Sequence, residues 1–169
     1  TMVKEWLYQL LSPSMFVTRS PRSYNSQIGV PLSVWLMNEQ TQVGVFEAGI
    51  SQPGEMLALR DIIQPTIAVL TNVGSAHQEN FSSLEEKCRE KLILFHDAET
   101  VVYDGDDEVI TKVVAEYPDY KGEKLFWSLQ NPEAPFYVKK IEKQQSVSVI
   151  TYIYKGVEDS FSIPFIDDA

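Results

Sequence analysis

Three residues stand where their types break the local pattern unless they do chemistry: Glu47, His77 and Lys91. Glu47 closes an apolar run (Val43, Val45, Phe46) and is followed by Ala48 and Gly49. Ligands of open α/β sheets gather at the carboxyl ends of strands, so a carboxylate there could hold a metal or a phosphate-linked group. The same position equally suits a solvated strand end. Thr71-Asn72-Val73-Gly74 repeats the arrangement one strand later, with His77 five residues past Asn72. Two neighbouring strands thus deliver polar groups to one edge, and His77 is either a ligand there or a structural loop residue. Lys91 falls on the inner stripe of an amphipathic helix marked by Leu84, Cys88 and Phe95. Either its stem lies on the core while the ammonium reaches water, or burial and nearby cations disfavour its charge and leave a reactive neutral amine. Lys87, one turn earlier at the edge of the stripe, reads as a solvated residue.

Positioning these groups requires strands that alternate with helices. Periodicity predicts helices over 2–11, 28–38, 54–63, 82–96 and 106–116, with Pro31 tolerable only in a first turn and Asp107 or a neighbour capping the last. Strands are predicted over 15–18, 43–47, 66–71 and 100–103, the second and third as buried parallel strands. After Tyr117 the pattern changes to strands over 124–128, 134–142, 146–154 and 160–165, joined by short polar connectors. The expected fold class is α/β: a three-layer, mostly parallel, doubly wound sheet with helices on both faces, plus a C-terminal antiparallel β meander. The α/β part covers residues 1–117 and the antiparallel part 118–169. In the strand at 146–154, Val147, Val149, Thr151 and Ile153 share one face, which the main sheet is expected to cover.

Composition narrows the function classes. The chain has 169 residues, 44% of them hydrophobic, enough for one domain with an ordinary core. A net charge of −10 leaves no basic surplus for phosphate neutralisation, so nucleic acid is not an expected partner. The apolar stretches at 65–73 and 146–154 fall short of the roughly 20 residues that span a bilayer, so no membrane association is expected. No secretory signal is visible at the start and a single cysteine, Cys88, cannot form an internal disulfide, which fits a reducing, cytoplasmic setting. Residues 1–96 hold nine acids and seven bases, whereas residues 97–169 hold fifteen acids and seven bases. The acidity therefore lies away from the edge that carries Glu47, His77 and Lys91. No G-x-x-x-x-G-K-[ST] loop, G-x-G-x-x-G fingerprint, zinc-finger spacing or G-x-S-x-G elbow occurs in the sequence.

Four segments taken together are more specific than any one: Asn25-Ser-Gln-Ile-Gly-Val-Pro-Leu32, Glu47-Ala-Gly-Ile-Ser-Gln-Pro-Gly-Glu55, Thr71-Asn-Val-Gly-Ser-Ala-His77 and Glu90-Lys91. In order and spacing the chain resembles the central domain of the Mur ligase family over nearly its whole length. The resemblance implies an ATP-dependent amide-bond ligase that adds D-alanyl-D-alanine to UDP-N-acetylmuramoyl-tripeptide through an acyl phosphate, alone or as the ligase part of a bifunctional ligase/alanine racemase. It further implies that Glu47 and His77 hold Mg2+, that Asn25 and Asn72 line the nucleotide and substrate cleft, and that Lys91 reacts with carbon dioxide to give a carbamate ligand. Thr1 would stand at the last threonine of a Gly-Lys-Thr phosphate loop, touching nucleotide and metal.

The same resemblance implies truncation at both ends. The glycines and lysine of the phosphate loop would precede Thr1, an adenine-contacting element would follow Ala169, and amino- and carboxyl-terminal domains would complete the enzyme. Residues 1–169 alone are accordingly expected to be inactive. Ser26 stands where relatives often have a second Asn. Two rivals remain at this stage: a folylpolyglutamate-synthase-like ligase, whose family usually has Asp where this chain has Ala76, and a non-catalytic binding module on the same fold.

Overall fold

The computed structural model describes residues 1–118, 120–164 and 166. Elements follow in the order α1 (Met2–Leu11), β1 (Val17–Arg19), α2 (Gly29–Val34), β2 (Val43–Val45), α3 (Glu55–Ile63), β3 (Ile67–Leu70), α4 (Leu84–Leu92), β4 (Thr100–Asp104), α5 (Glu108–Ala115), β5 (Glu123–Ser128), β6 (Phe136–Lys143), β7 (Ser148–Tyr154) and β8 (Val157–Ile163). Short 3-10 turns at Gln78–Asn80 and Ile93–Phe95 flank α4. Strands β1 and β2 pair in parallel, and β3 to β8 form a six-stranded sheet in sequence order. Its first four strands are parallel to one another and its last three antiparallel. The expected mostly parallel α/β sheet with antiparallel carboxyl-terminal strands is thus the observed fold.

Two sequence expectations need correction. The strand Glu123–Ser128 belongs to the parallel block: it pairs with β4 along its length, and Trp127 and Ser128 lie opposite Phe136 and Tyr137 of β6 in parallel register. Antiparallel pairing therefore begins at β6 rather than at residue 118. Because β5 hands the sheet on to β6, the carboxyl-terminal strands extend the sheet edge to edge, and β7 is flanked by β6 and β8 rather than covered by the main sheet. Stacking of Phe136 on Tyr152, with centroids 4.7 Å apart, supports that extension. The predicted strand at 160–165 runs earlier, over β8, and Phe165 lies outside the described residues.

The main core joins β3 and β4 to α4 and α5: Ala68, Leu70, Val101 and Tyr103 face Cys88, Leu92, Ile110 and Val113. A second cluster joins Val30 of α2, Ile50, Met56 and Leu59 of α3, and Phe81. Strand β3 alternates: Ala68 and Leu70 are buried, whereas Ile67 and Val69 are 63% and 42% exposed. The expected burial on both faces is therefore met on one face only at this strand, which is an edge of its sheet among the described residues. Helix α2 is shorter than the predicted 28–38, with Pro31 in its first turn as the proline rule requires.

Caps fix the helices that approach the site edge. Asp107 caps α5, its carboxylate accepting from the Val109 and Ile110 N–H groups at 2.9 and 3.0 Å. Asp107→Ala is expected to lower stability by about 1 kcal/mol and Asp107→Asn by much less, read as the urea midpoint at constant slope. Ser83 caps α4 by accepting from Glu86 N–H at 3.1 Å, and Glu86 reaches back to Ser82 N–H at 2.6 Å. Gly54 starts α3 at φ +86, a conformation that L side chains rarely adopt.

Candidate functional site

The loops after β1, β2 and β3 leave the carboxyl ends of parallel strands and carry most of the residues singled out by sequence. Buried Ser20 ends β1. Its N–H donates to Val45 O at 3.1 Å, and its hydroxyl accepts from Glu47 N–H at 3.2 Å. That hydroxyl fixes the backbone from which the Glu47 side chain projects. Asn25 Nδ2 donates to Glu47 Oε1 at 2.8 Å, and Asn25 O accepts from Gly49 N–H at 2.8 Å. A Cβ on Gly49 would stand 3.1 Å from the Asn25 amide, so any side chain there would push that amide by a few tenths of an ångström. Thr1 completes the corner, its amino nitrogen 3.1 Å from Glu47 Oε2 and its hydroxyl 3.3 Å from Ser23 Oγ. Thr1, Asn25 and Glu47 are thus brought together.

The electrostatics of Glu47 suit a cation. Burial by itself pushes the carboxyl up, while hydrogen bonds from the Thr1 and Asn25 side chains pull it down. Its Oε2 is buried with no well-formed hydrogen bond, the Thr1 amino nitrogen being an ion contact only. An ionised carboxylate with one oxygen anchored by an amide and the other holding no hydrogen bond fits a hard, oxygen-seeking cation. Among the described residues no group of three or more His, Cys, Asp or Glu forms a ready metal cage. That is compatible with magnesium, which is commonly held by one or two carboxylates together with water and substrate phosphates.

His77 and Asn72 lie on the next loop, and the structure does not join them to Glu47. Asn72 is exposed and accepts from the Thr71 hydroxyl at 3.4 Å. His77 is 55% exposed, stands 4.0 Å from Glu79 and has φ +58. A histidine in the left-handed region is uncommon, and such positions cluster at functional sites. The loop is tied to its neighbour through Asn80, whose amide donates to Ser51 O at 2.9 Å.

Helix α4 reverses the expectation for one of its two lysines. Lys87, read from sequence as solvated, is 3% exposed, with Nζ donating to the carbonyls of Gly74 and Ala76. The loop folds over the ammonium and satisfies it, which the helical pattern alone does not reveal. Lys91 is half-buried, and the inner stripe is formed by Cys88, Leu92 and Phe95, with Leu84 left partly exposed. Burial lowers the Lys91 pKa and the neighbouring Lys87 charge lowers it further, favouring the neutral amine. Cys88 is fully buried and its thiol is pushed up to about 11, chiefly by burial, so it is no nucleophile here.

Sequence reasoning missed Ser20, Lys87 and Asn80 as builders of this edge, and it singled out Glu90 only within the Glu90-Lys91 segment, without its role. Ser20 had a readable signal, a small hydroxyl at a strand end; the others act through loop backbone distant in sequence. A cavity of about 960 Å3 lies elsewhere, at the amino ends of β4 and β5, lined by Phe95, Glu99, Val101, Tyr117, Tyr120 and Glu123 among others, and none of the sequence-derived site residues lines it.

Comparison with known proteins follows this geometry. The family profile described as the Mur ligase middle domain matches residues 1–167. A UDP-N-acetylmuramoyl-tripeptide--D-alanyl-D-alanine ligase of Bacillus subtilis is 26% identical over 169 residues, covering 98% of this chain and 35% of that protein. MurF from Acinetobacter baumannii superposes with a TM-score of 0.85 at 20% identity, over 98% of this chain and 36% of that one. MurF ligase from Thermotoga maritima, solved in complex with ADP, gives 0.80 at 26% identity, over 94% and 36% respectively. The chain spans about a third of the length of these relatives. No helix among the described residues is long and apolar enough to cross a membrane.

Proposed function

Because the chain belongs to the Mur ligase middle-domain family, we propose that it is the ATP-handling domain of a cytoplasmic ligase that joins D-alanyl-D-alanine to UDP-N-acetylmuramoyl-tripeptide in peptidoglycan synthesis. The observation that carries the reading is the Glu47 carboxylate, anchored by Asn25 at the carboxyl end of β2 with no hydrogen bond to its second oxygen. Such a ligase transfers a phosphoryl group from ATP to the substrate carboxylate, and the amine of D-alanyl-D-alanine then displaces phosphate. The demands on the protein are positioning and neutralisation of phosphoryl charge.

This chain's residues meet those demands in distinct ways. Glu47, with the Thr1 hydroxyl and His77 near the same edge, would hold Mg2+, which supplies positive charge at the phosphoryl oxygens when bound. Asn25 orients Glu47, while Asn72 offers an amide to nucleotide or substrate from the next strand. Lys91, poised toward its neutral form by burial and by Lys87, attacks the carbon of carbon dioxide and loses a proton to water. The resulting carbamate replaces a cation that metal would repel with an anionic oxygen donor. In the parent, the residues before Thr1 would complete the phosphate loop, and the amino- and carboxyl-terminal domains would supply the grip on the UDP-sugar and the closure over ATP.

A substrate panel on the full-length parent tests this reading. With ATP and Mg2+, amide product is expected from UDP-N-acetylmuramoyl-tripeptide plus D-alanyl-D-alanine and not from a folate plus glutamate. Glutamylation of the folate without reaction of the muramoyl substrate would overturn it, and so would binding of substrates without turnover.

A further inference from the structure

Helix α4 carries two side chains whose partners lie on two different loops. Lys87 sends its buried ammonium to the carbonyls of Gly74 and Ala76, with the Phe81 ring face 5.9 Å away. A buried ammonium persists only where its donors are satisfied, so this grip is part of the folded state and not a surface accident. Three residues on, Glu90 Oε1 accepts from the N–H groups of Gly54 and Met56 at 2.8 and 3.0 Å. Those donors open α3 and have no partner within their own helix, and the carboxylate also complements the positive end of that helix.

Positions three and four apart share a helix face, so Lys87, Glu90 and Lys91 project from one turn. The Lys87 grip lands beside His77, on the loop after β3. The Glu90 grip lands on the segment that begins at Glu47. The Asn80 to Ser51 bond joins the two loops directly. We infer that Lys87 and Glu90 are positioning residues, one turn of α4 holding the Glu47 loop and the His77 loop at a fixed separation from each other and from Lys91. The catalytic consequence rests on the ligase reading above, whereas the mechanical one does not. Misplacing a reacting group by 1 Å can cost about a hundredfold in rate, so a clamp of this kind has a kinetic signature.

The experiment uses the full-length parent and four variants, Lys87→Met, Lys87→Arg, Glu90→Ala and Glu90→Gln, with backbone hydrogen exchange and steady-state kinetics as readouts. Lys87→Met is expected to speed exchange in the peptide covering 72–81 by about tenfold or more, and Glu90→Ala to do so in 51–57, while the β4 peptide is unchanged. For both, kcat is expected to fall about 10- to 100-fold and the Mg2+ concentration for half-maximal rate to rise, with KM for D-alanyl-D-alanine within about twofold. Arginine at 87 keeps donors and glutamine at 90 keeps the acceptor oxygen, so both should recover most of the loss. Unchanged loop exchange in Lys87→Met and Glu90→Ala, or equal losses in the conservative variants, would overturn the inference. If faster β4 exchange shows that Lys87→Met is globally unfolded, the two Glu90 variants decide. Should the parent show no ligation at all, the proposed function falls while the exchange readout still tests the clamp.

Discussion

Replacing Lys91 by alanine in the full-length parent is expected to cripple ligation, with kcat falling by about 100- to 1,000-fold, the range seen when a single charge-stabilising group is removed from an active site. The fold should survive. Lys91 is half-buried, no ion pair or hydrogen bond from its ammonium is found among the described residues, and the shift of its pKa records a charge that folding disfavours. Removing it also relieves repulsion of Lys87 at the i−4 position, worth a few tenths of a kcal/mol. The variant should therefore melt at or above the parent's temperature while turning over far more slowly. Glu47→Ala is expected to give a comparable loss by a different route. It strips the Asn25 amide of its acceptor and removes the oxygen offered to metal, yet the carboxylate is partly exposed and no core residue depends on it. Near-normal turnover by either variant would remove it from the site.

The largest expected effect on stability is at Ile110. This side chain is 0% exposed and packs where α5 meets α4 and the β3–β4 face, so truncation leaves a hole bounded by three elements that cannot all collapse inward. Ile110→Ala should cost about 2–5 kcal/mol, read from urea denaturation of the 169-residue chain with an unchanged slope. Since α4 carries Lys87, Glu90 and Lys91, loosening this packing also loosens the site from behind. A cost below about 1 kcal/mol would mean that the α4–α5 core is not the organising one.

The parallel strands and the helices between them were legible because apolar runs and a 3.6-residue period are local properties. Asp107 as a cap, Pro31 in a first turn and the change of pattern after Tyr117 were readable for the same reason. Pairing was not: the β5 residues Glu-Lys-Leu-Phe-Trp-Ser show no pattern that tells a parallel from an antiparallel neighbour, and only the register of Trp127 opposite Phe136 makes it the last link of the parallel block before the meander. The site divides in the same way. The bond between Asn25 and Glu47 joins two motifs that sequence alone did not pair, and Lys87 was misread because what buries it is loop backbone that no helical wheel contains. Glu90 was legible only as part of the Glu90-Lys91 segment and not in its role, since a carboxylate that caps a different helix looks like any exposed glutamate in sequence.

The central claim is that this domain serves ATP-driven activation of a carboxylate, and the oxygen atoms of that carboxylate report on it directly. Label the terminal carboxylate of the muramoyl tripeptide with oxygen-18, run the full-length parent with ATP, Mg2+ and D-alanyl-D-alanine, and weigh the phosphate released. Transfer through an acyl phosphate breaks the bond between the carbonyl carbon and the labelled oxygen, so each amide formed should leave one labelled oxygen in inorganic phosphate, with ADP as the other product. Unlabelled phosphate alongside amide formation, or AMP and pyrophosphate in place of ADP, would contradict the account.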